Sequence, residues 1–256
     1  MEDQLSVTCL QVASTLDPAD NRGRLDALVG GAAGDLVVLP EAFARDFGEA
    51  GSDVSPFAET SDGPFASEVQ RVASAHGRTV VAGMFERSDD PERPWNTLVV
   101  RGAASADYRK IHLYDSFGYR ESDRLSGGAI APVVLDVQGW RVGLMTCYDL
   151  RFPELARELA RAGTDLFVVP AAWVAGPRKV EHWRTLARAR AIENTAYVVA
   201  AGQPAPRYAG HSLVVDPLGD VLVEAGDDEG SVDAVLSRSG LDEARRTNPA
   251  LHNRRL

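Results

Sequence analysis

Cysteine is scarce in this sequence, whose 256 residues include only Cys9 and Cys147. Two cysteines can form one bridge at most, and neither belongs to a CxxC pair. The sequence therefore shows neither a disulfide framework nor a cysteine-rich metal site. Cys9 lies in a strand-like stretch, where we expect a buried structural thiol because free cysteine is commonly buried.

Basic residues are also under-represented. The chain has 27 lysines and arginines against 37 acidic residues, which gives a formal net charge of −10. Nucleic acids and anionic membranes both select clustered positive charge, so neither is expected as a partner. An anionic small molecule is still compatible with this charge, because a single arginine can bind a carboxylate.

Long apolar runs are missing as well. No stretch approaches the ~20 apolar residues that a membrane span requires. Residues 1–4 include two acids and lack the basic and apolar regions of a signal peptide. These features predict a cytoplasmic protein.

The sequence does contain an alternation of β-like and helical segments along its whole length. No flexible linker or repeat of fixed period divides them, so we predict a single α/β domain over residues 1–256. The predicted strands cover residues 6–13, 35–39, 79–85, 97–101, 133–137, 142–146, 166–169, 196–201, 212–215 and 221–224. The predicted helices cover residues 21–29, 64–75, 153–162 and 180–193.

Cys147 is the first candidate for chemistry. It follows the apolar run 142–146 and precedes a helix that begins near Pro153. A thiol at this point is presented on a turn, and the nearby helix N-terminus is expected to favour its thiolate. The alternative for the residue taken alone is a buried, inert thiol.

Glu41 and Lys110 are two further candidates. Glu41 ends a strand-like run, at the place where α/β sheets gather their active sites. Lys110 lies among aromatic and aliphatic neighbours, so it would need anionic partners if it were buried. Each has an ordinary alternative, a loop acid for Glu41 and a solvated charge on an edge strand for Lys110.

In this order the three segments resemble the Glu–Lys–Cys catalytic set of the nitrilase, or carbon–nitrogen hydrolase, superfamily. The matching stretches are LPEAF at 39–43, YRKIHL at 108–113 and CYDLRFPEL at 147–155, with further likeness at 182–194, 210–212 and 216–219. The resemblance covers nearly the whole chain. It implies a four-layer α-β-β-α sandwich, assembly into homodimers or larger homo-oligomers, and chemistry without a metal or organic cofactor.

The resemblance also implies a role for each residue. Cys147 is the nucleophile, Glu41 is the general base, and Lys110 stabilises the oxyanion together with the backbone N–H of Tyr148. A further glutamate follows the lysine in the family, and Glu121 stands in that place, although the intervening loop is short. Glu121 would hold Lys110 charged and oriented.

Arg151 is the candidate ligand for a carboxylate of the substrate. In the amidase and carbamoylase branches that the chain resembles, an arginine four residues after the cysteine commonly has this function, and its planar fork suits it. The alternative is a salt bridge to Asp149 or Glu154. Three aromatic residues near strand ends are candidate pocket walls, with core packing as the alternative for each: Phe43, Tyr148 and Trp173. His112 is interpreted as structural.

The branch that the chain resembles most comprises omega-amidases and deaminated glutathione amidases. The implied reaction is hydrolysis of the terminal amide of a small carboxylate-bearing metabolite to the acid and ammonia, through a cysteine thioester. The first alternative is an N-carbamoyl amino-acid or carbamoyl-amine hydrolase with the same Glu–Lys–Cys set. Two alternatives of other classes stay open, a catalytically silent binding protein and a redox-active thiol protein with Cys9 as the resolving cysteine.

Overall fold

Two six-stranded sheets form the centre of the structure, a computed structural model that describes residues 3–255. The strands in chain order are β1 (Gln4–Gln11), β2 (Leu36–Val38), β3 (Thr79–Glu86), β4 (Trp95–Arg101), β5 (Ala106–Arg109), β6 (Asp115–Ser116), β7 (Tyr119–Arg120), β8 (Val134–Val137), β9 (Trp140–Leu144), β10 (Leu166–Ala171), β11 (Tyr197–Gly202), β12 (Leu213–Val215), β13 (Val221–Glu224) and β14 (Gly230–Ser237). The first sheet has the order β14-β1-β2-β3-β4-β5 and the second β13-β12-β11-β10-β9-β8, while β6 and β7 form a separate hairpin.

Helices cover the outer faces of both sheets. They are α1 (Pro18–Gly31), α2 (Pro64–His76), α3 (Pro153–Arg161), α4 (Lys179–Asn194) and α5 (Arg238–Thr247). Helix α2 packs on β3 and β4 and against α1, whereas α4 packs on β11 and β12 and against α3. The sheets contact each other through β1 and β2 against β11 and through β14 against β13. The predicted four-layer α-β-β-α sandwich is therefore confirmed.

Successive side chains of the short strand β2 pack into two different hydrophobic clusters, one on each face of its sheet. In β2, Val38 joins the cluster between the sheets, while Val37 joins the cluster beneath α1 and α2. Successive side chains of a strand point to opposite faces, so an unbroken apolar run is expected wherever both faces are covered. The fully buried strand β10 follows the same rule.

All ten predicted strands and four predicted helices have counterparts, with boundaries that differ by at most three residues. The prediction missed β5, β14 and α5 and the short hairpin. Strand β14 is amphipathic at a sheet edge and buries only Val232 and Leu236. Helix α5 is rich in charged residues and buries only Leu241 and Ala244. A weak apolar pattern of this kind is easily read as a loop.

The direction of the strands brings four segments to one edge of the sandwich. Strands β1, β2 and β3 run parallel, as do β9, β10 and β11. Strand β5 is antiparallel to β4, which is antiparallel to β3, so β5 runs in the direction of β3. The segments that follow β2, β5, β9 and β10 therefore emerge together. Within residues 3–255, no helix has the length and apolarity that crossing a membrane requires.

Candidate active site

Four buried ionisable side chains meet at this edge. Lys110 Nζ lies 2.9 Å from Glu41 Oε1 and 2.9 Å from Glu121 Oε2. The side chains of Lys110, Glu41 and Glu121 are all at most 3% exposed. Cys147 is also buried, and the Glu41 carboxylate is among the groups that raise the pKa of its thiol. The structure thus brings together the residues that the sequence places 106 positions apart.

Glu41 is held on both carboxylate oxygens. Oε1 accepts from Asn96 Nδ2 at 2.7 Å as well as from Lys110, and Oε2 accepts from the backbone N–H of Ala172 at 2.7 Å. Ala172 belongs to the segment after β10, so this bond links the two sheets. Gly83 makes the approach possible, since a Cβ there would lie 2.4 Å from the backbone nitrogen of Ala42. Glu41 is therefore a fixed group and not a loop acid.

Lys110 is a buried ammonium with two carboxylate partners. Burial alone lowers the pKa of a lysine, but Glu121 and Glu41 outweigh it and raise the pKa of Lys110 well above its ordinary value. Burial raises the pKa of Glu121, and Lys110 opposes that shift. Glu121 also accepts from the backbone N–H of Tyr114 at 2.6 Å. The lysine thus stays charged and has no freedom to leave its partners.

Cys147 begins a 3-10 turn, Cys147–Arg151, in a left-handed backbone conformation with φ of 46°. This conformation is uncommon for a residue with a side chain and is concentrated at functional sites. Burial and the Glu41 carboxylate raise the pKa of the thiol well above its ordinary value, although Lys110 lowers it. Desolvation and Glu41 therefore outweigh, in the resting site, whatever the helix N-terminus contributes in favour of the thiolate.

Asp149 connects the cysteine turn to the lysine strand. Its carboxylate accepts from Tyr108 Oη at 2.6 Å, from the backbone N–H of Thr146 at 2.9 Å and from that of His112 at 3.1 Å. His112 Nδ1 also lies 2.7 Å from this carboxylate, and the histidine ring stacks on Phe152 at 3.8 Å. These contacts agree with a structural role for His112.

Arg151 makes no ion pair among the residues that the structure describes, so the alternative of a salt bridge to Asp149 or Glu154 is not realised. Its Nε is buried without a hydrogen-bond partner, and Nη2 lies 3.4 Å from His182 Nδ1. The guanidinium stands 4.9 Å from the centre of the Trp173 ring. Arg151 is thus held in place while its charge stays unmatched.

The three aromatic candidates fall in different places. Trp173 stands beside Arg151 and donates from Nε1 to the carbonyl of Lys179 at 2.9 Å. Tyr148, next to the cysteine, packs edge-on against Tyr114 with ring centres 4.9 Å apart. The structure does not bring Phe43 to the site: it is fully buried in the cluster beneath α1 and α2. Core packing accounts for its contacts.

Sequence reasoning missed Asn96 and the clamping role of Asp149. Asn96 lies one residue before the predicted strand 97–101, and the structure buries it inside β4. A carboxamide in a buried strand needs polar partners, which is the one signal that could have marked it. In the described part of the chain, no group of three or more His, Cys, Asp or Glu side chains is arranged to hold a metal ion.

This fold and site define a class of enzyme. The profile of the carbon–nitrogen hydrolase family matches residues 6–246, and the chain belongs to that family. It is 42% identical over 224 residues to deaminated glutathione amidase of Escherichia coli O157:H7, covering 86% of this chain and 84% of that protein. It is 36% identical over 272 residues to 2-oxoglutaramate amidase of Paenarthrobacter nicotinovorans, covering 98% and 90%.

A solved structure agrees with this assignment. The CN-hydrolase superfamily protein XC1258 of Xanthomonas campestris superimposes with a TM-score of 0.89 at 32% identity, over 100% of this chain and 98% of that one. That protein carries an arsenic adduct in its active site. The protein described here is accordingly a carbon–nitrogen hydrolase that acts on amides.

Proposed function

We propose that this enzyme hydrolyses the amide of a small carboxylate-bearing metabolite, a 2-oxo acid omega-amide or deaminated glutathione, through a thioester on Cys147. The observation that carries the proposal is the buried Glu41–Lys110–Cys147 group with an unpaired arginine one turn away. The two relatives described above, whose names specify amides of this type, support it. An unsubstituted amide releases ammonia, and a substituted one releases an amine.

In the first half-reaction the Cys147 thiol gives its proton to Glu41 while the sulfur attacks the amide carbon. A C–S bond forms and the carbonyl oxygen becomes an oxyanion, which Lys110 and the backbone N–H of Tyr148 stabilise. Glu41 then passes its proton to the nitrogen, the C–N bond breaks, and a thioester remains. Glu41 accepts a hydrogen bond from Lys110 and raises the pKa of the Cys147 thiol, and both observations support these roles.

In the second half-reaction Glu41 takes a proton from water, whose oxygen attacks the thioester carbon. A second oxyanion forms at the same position, the C–S bond breaks, and the sulfur regains the proton. The acid leaves. Lys110 acts as a fixed charge throughout, because Glu121 stays beside it as a carboxylate even while Glu41 carries a proton. Glu121 positions Lys110 and does not contact the reacting atoms.

Arg151 binds the substrate's carboxylate in this proposal. A buried guanidinium N–H without a partner leaves a desolvated donor, which a bound carboxylate would satisfy with a charge-assisted hydrogen bond. Trp173 supports the guanidinium from one side. Tyr148 is proposed to wall the pocket beside the cysteine.

The test is a panel assay with Cys147→Ala as the blank. The panel contains 2-oxoglutaramate, deaminated glutathione, several N-carbamoyl amino acids, glutamine and a simple nitrile, with both acid and released nitrogen measured. We expect turnover of one or both of the first two. Turnover of the carbamoyl compounds alone would show that the substrates are N-carbamoyl compounds and not amides of 2-oxo acids. Turnover by Cys147→Ala would refute the thioester mechanism.

Assembly into a homodimer or larger homo-oligomer and a cytoplasmic location belong to the same proposal. Exposed apolar side chains in the β12–β13 turn and near the end of α4 support the assembly: Leu218 is 51% exposed and Ile192 is 42% exposed. Sedimentation velocity on the purified enzyme tests the assembly, and a monomer at micromolar concentration would contradict it.

A further inference from the structure

The sequence contains two lysines, Lys110 and Lys179, among 27 basic residues. Lys110 is part of the catalytic group and is paired with Glu41 and Glu121. The second is the first residue of α4 and is partly buried, yet it takes part in no ion pair among residues 3–255. Its ammonium donates one hydrogen bond, to Tyr114 Oη at 3.0 Å. A lysine has three donors, so two of them have no partner within the described residues.

Aromatic rings hold this ammonium in place. Nζ lies 4.2 Å from the centre of the Phe117 ring, 5.2 Å from that of Tyr114 and 5.8 Å from that of Trp173. Cation–π contacts of this kind orient a cation without neutralising it. Phe117 itself is 70% exposed, at the turn of the β6–β7 hairpin with φ of 53°. The hairpin therefore carries an exposed aromatic ring that contacts the ammonium of Lys179.

Arg151 approaches two of these three rings. Its guanidinium carbon lies 4.9 Å from the centre of Trp173 and 6.0 Å from that of Phe117. Two unpaired cations thus share one aromatic wall in a protein whose net charge is −10. Like charges at such a site repel each other, and a single carboxylate would leave one of them uncompensated. Two carboxylates would match both.

We propose that Lys179, framed by Tyr114, Phe117 and Trp173, forms a second anion subsite that binds a second carboxylate of the substrate. This inference rests on the proposed function and narrows it to dianionic amides, with Arg151 and Lys179 each taking one carboxylate. Lys179 is then a specificity-determining residue. An amide with one carboxylate uses the Arg151 subsite alone.

Two amides that release the same 2-oxo dicarboxylic acid test the idea. Deaminated glutathione carries a carboxylate at each end, whereas 2-oxoglutaramate carries one. We expect Lys179→Met to lower kcat/KM for the first about tenfold to a hundredfold, mainly through KM, since a hydrogen bond to a charged group has roughly that value. The effect on the second should stay below about twofold, and Lys179→Arg should keep most of the selectivity.

Arg184→Met is the matched control for charge. It removes one positive charge from the same helix, at a side chain that already pairs with Glu224, and should leave the ratio of the two kcat/KM values unchanged. An equal loss on both amides in Lys179→Met would overturn the proposal, because it would mean a structural role or a shared single carboxylate. No loss on either would overturn it as well.

A labelling experiment decides the matter even if the wild type turns over neither amide. Lys110 is 2% exposed, so a mild amine reagent should modify Lys179 and the N-terminal amine, which peptide mapping separates. In Cys147→Ala, deaminated glutathione should protect Lys179 at concentrations where 2-oxoglutaramate does not. Equal protection by both, or by neither, would refute the second subsite without bearing on the catalytic mechanism.

Discussion

The charged cluster around Lys110 and the pair of cations Arg151 and Lys179 differ in whether their charges are compensated. At Lys110 every charge is buried and compensated, with carboxylates 2.9 Å away on two sides. At Arg151 and Lys179 the cations are partly buried, oriented by aromatic rings and uncompensated. A compensated cluster supplies a fixed field to a reaction centre, whereas an uncompensated one keeps its attraction for a ligand. The comparison separates catalysis from substrate selection.

The largest effect is expected when compensation is broken. Lys110→Met leaves two carboxylates buried without a cation, so we expect a loss of about 3–5 kcal/mol in the free energy of unfolding. The rate should fall about 10²- to 10³-fold through loss of the oxyanion donor. Chemical denaturation and steady-state kinetics measure the two.

The double variant Lys110→Met/Glu121→Gln sharpens this result. It removes one of the orphaned charges, so part of the lost stability should return while the rate stays low. Recovery of the rate along with stability would show that Lys110 has only a structural function.

The resting state of the nucleophile gives the next largest effect. Burial and Glu41 raise the pKa of the Cys147 thiol, so its thiolate fraction at pH 8 should be below that of a free cysteine. Alkylation by iodoacetamide should be slow there. Its rate should keep rising above about pH 10, where a free thiol with a pKa of about 8.5 has levelled off. A plateau below pH 8 would contradict the assignment.

Substitutions at Arg151 and Lys179 should change KM and leave kcat nearly unchanged. Arg151→Lys keeps the charge but loses the planar fork, so KM for anionic amides should rise about tenfold with kcat nearly unchanged. An uncharged amide provides the control, because its KM should not move. An unchanged KM for the anionic amides would remove Arg151 from the substrate site.

Phe43 should give the smallest effect. It packs in the core cluster beneath α1 and α2, so Phe43→Leu should cost about 1 kcal/mol of stability. Both kcat and KM should stay within about twofold of the wild type. A change in KM alone would show that this side of the sheet reaches the substrate.

These clusters also differ in how far the sequence predicts them. Cys147, Lys110 and Glu41 stand in segments whose residue types identify them, and strand direction explains why they meet. Asn96 and Lys179 carry no such signal, because their importance depends on neighbours that are distant in sequence, Glu41 in one case and three aromatic rings in the other. Phe43 shows the converse: it follows a strand end, yet its side chain enters the core.

The protonation state of the thiol could not be predicted either. A local rule, the helix N-terminus, favours the thiolate, but burial and a carboxylate from another strand act more strongly. Local propensity likewise failed for β14 and α5, whose stability comes from docking and not from their own patterns: β14 pairs with β1, and α5 packs against β14.

The hydrogen bond from Ala172 to Glu41 crosses from one sheet to the other. Glu41, Lys110 and Glu121 all precede the exposed loop at Ile130, which is 92% exposed, and Cys147 and Arg151 follow it. Neither part of the chain therefore contains the complete active site. The two parts are also joined by β14, which belongs to the later part and pairs with β1. Enzymatic turnover therefore requires that the two parts of the chain assemble correctly. If the chain were divided at that loop, recovery of activity would report how much of the two fragments had reassembled.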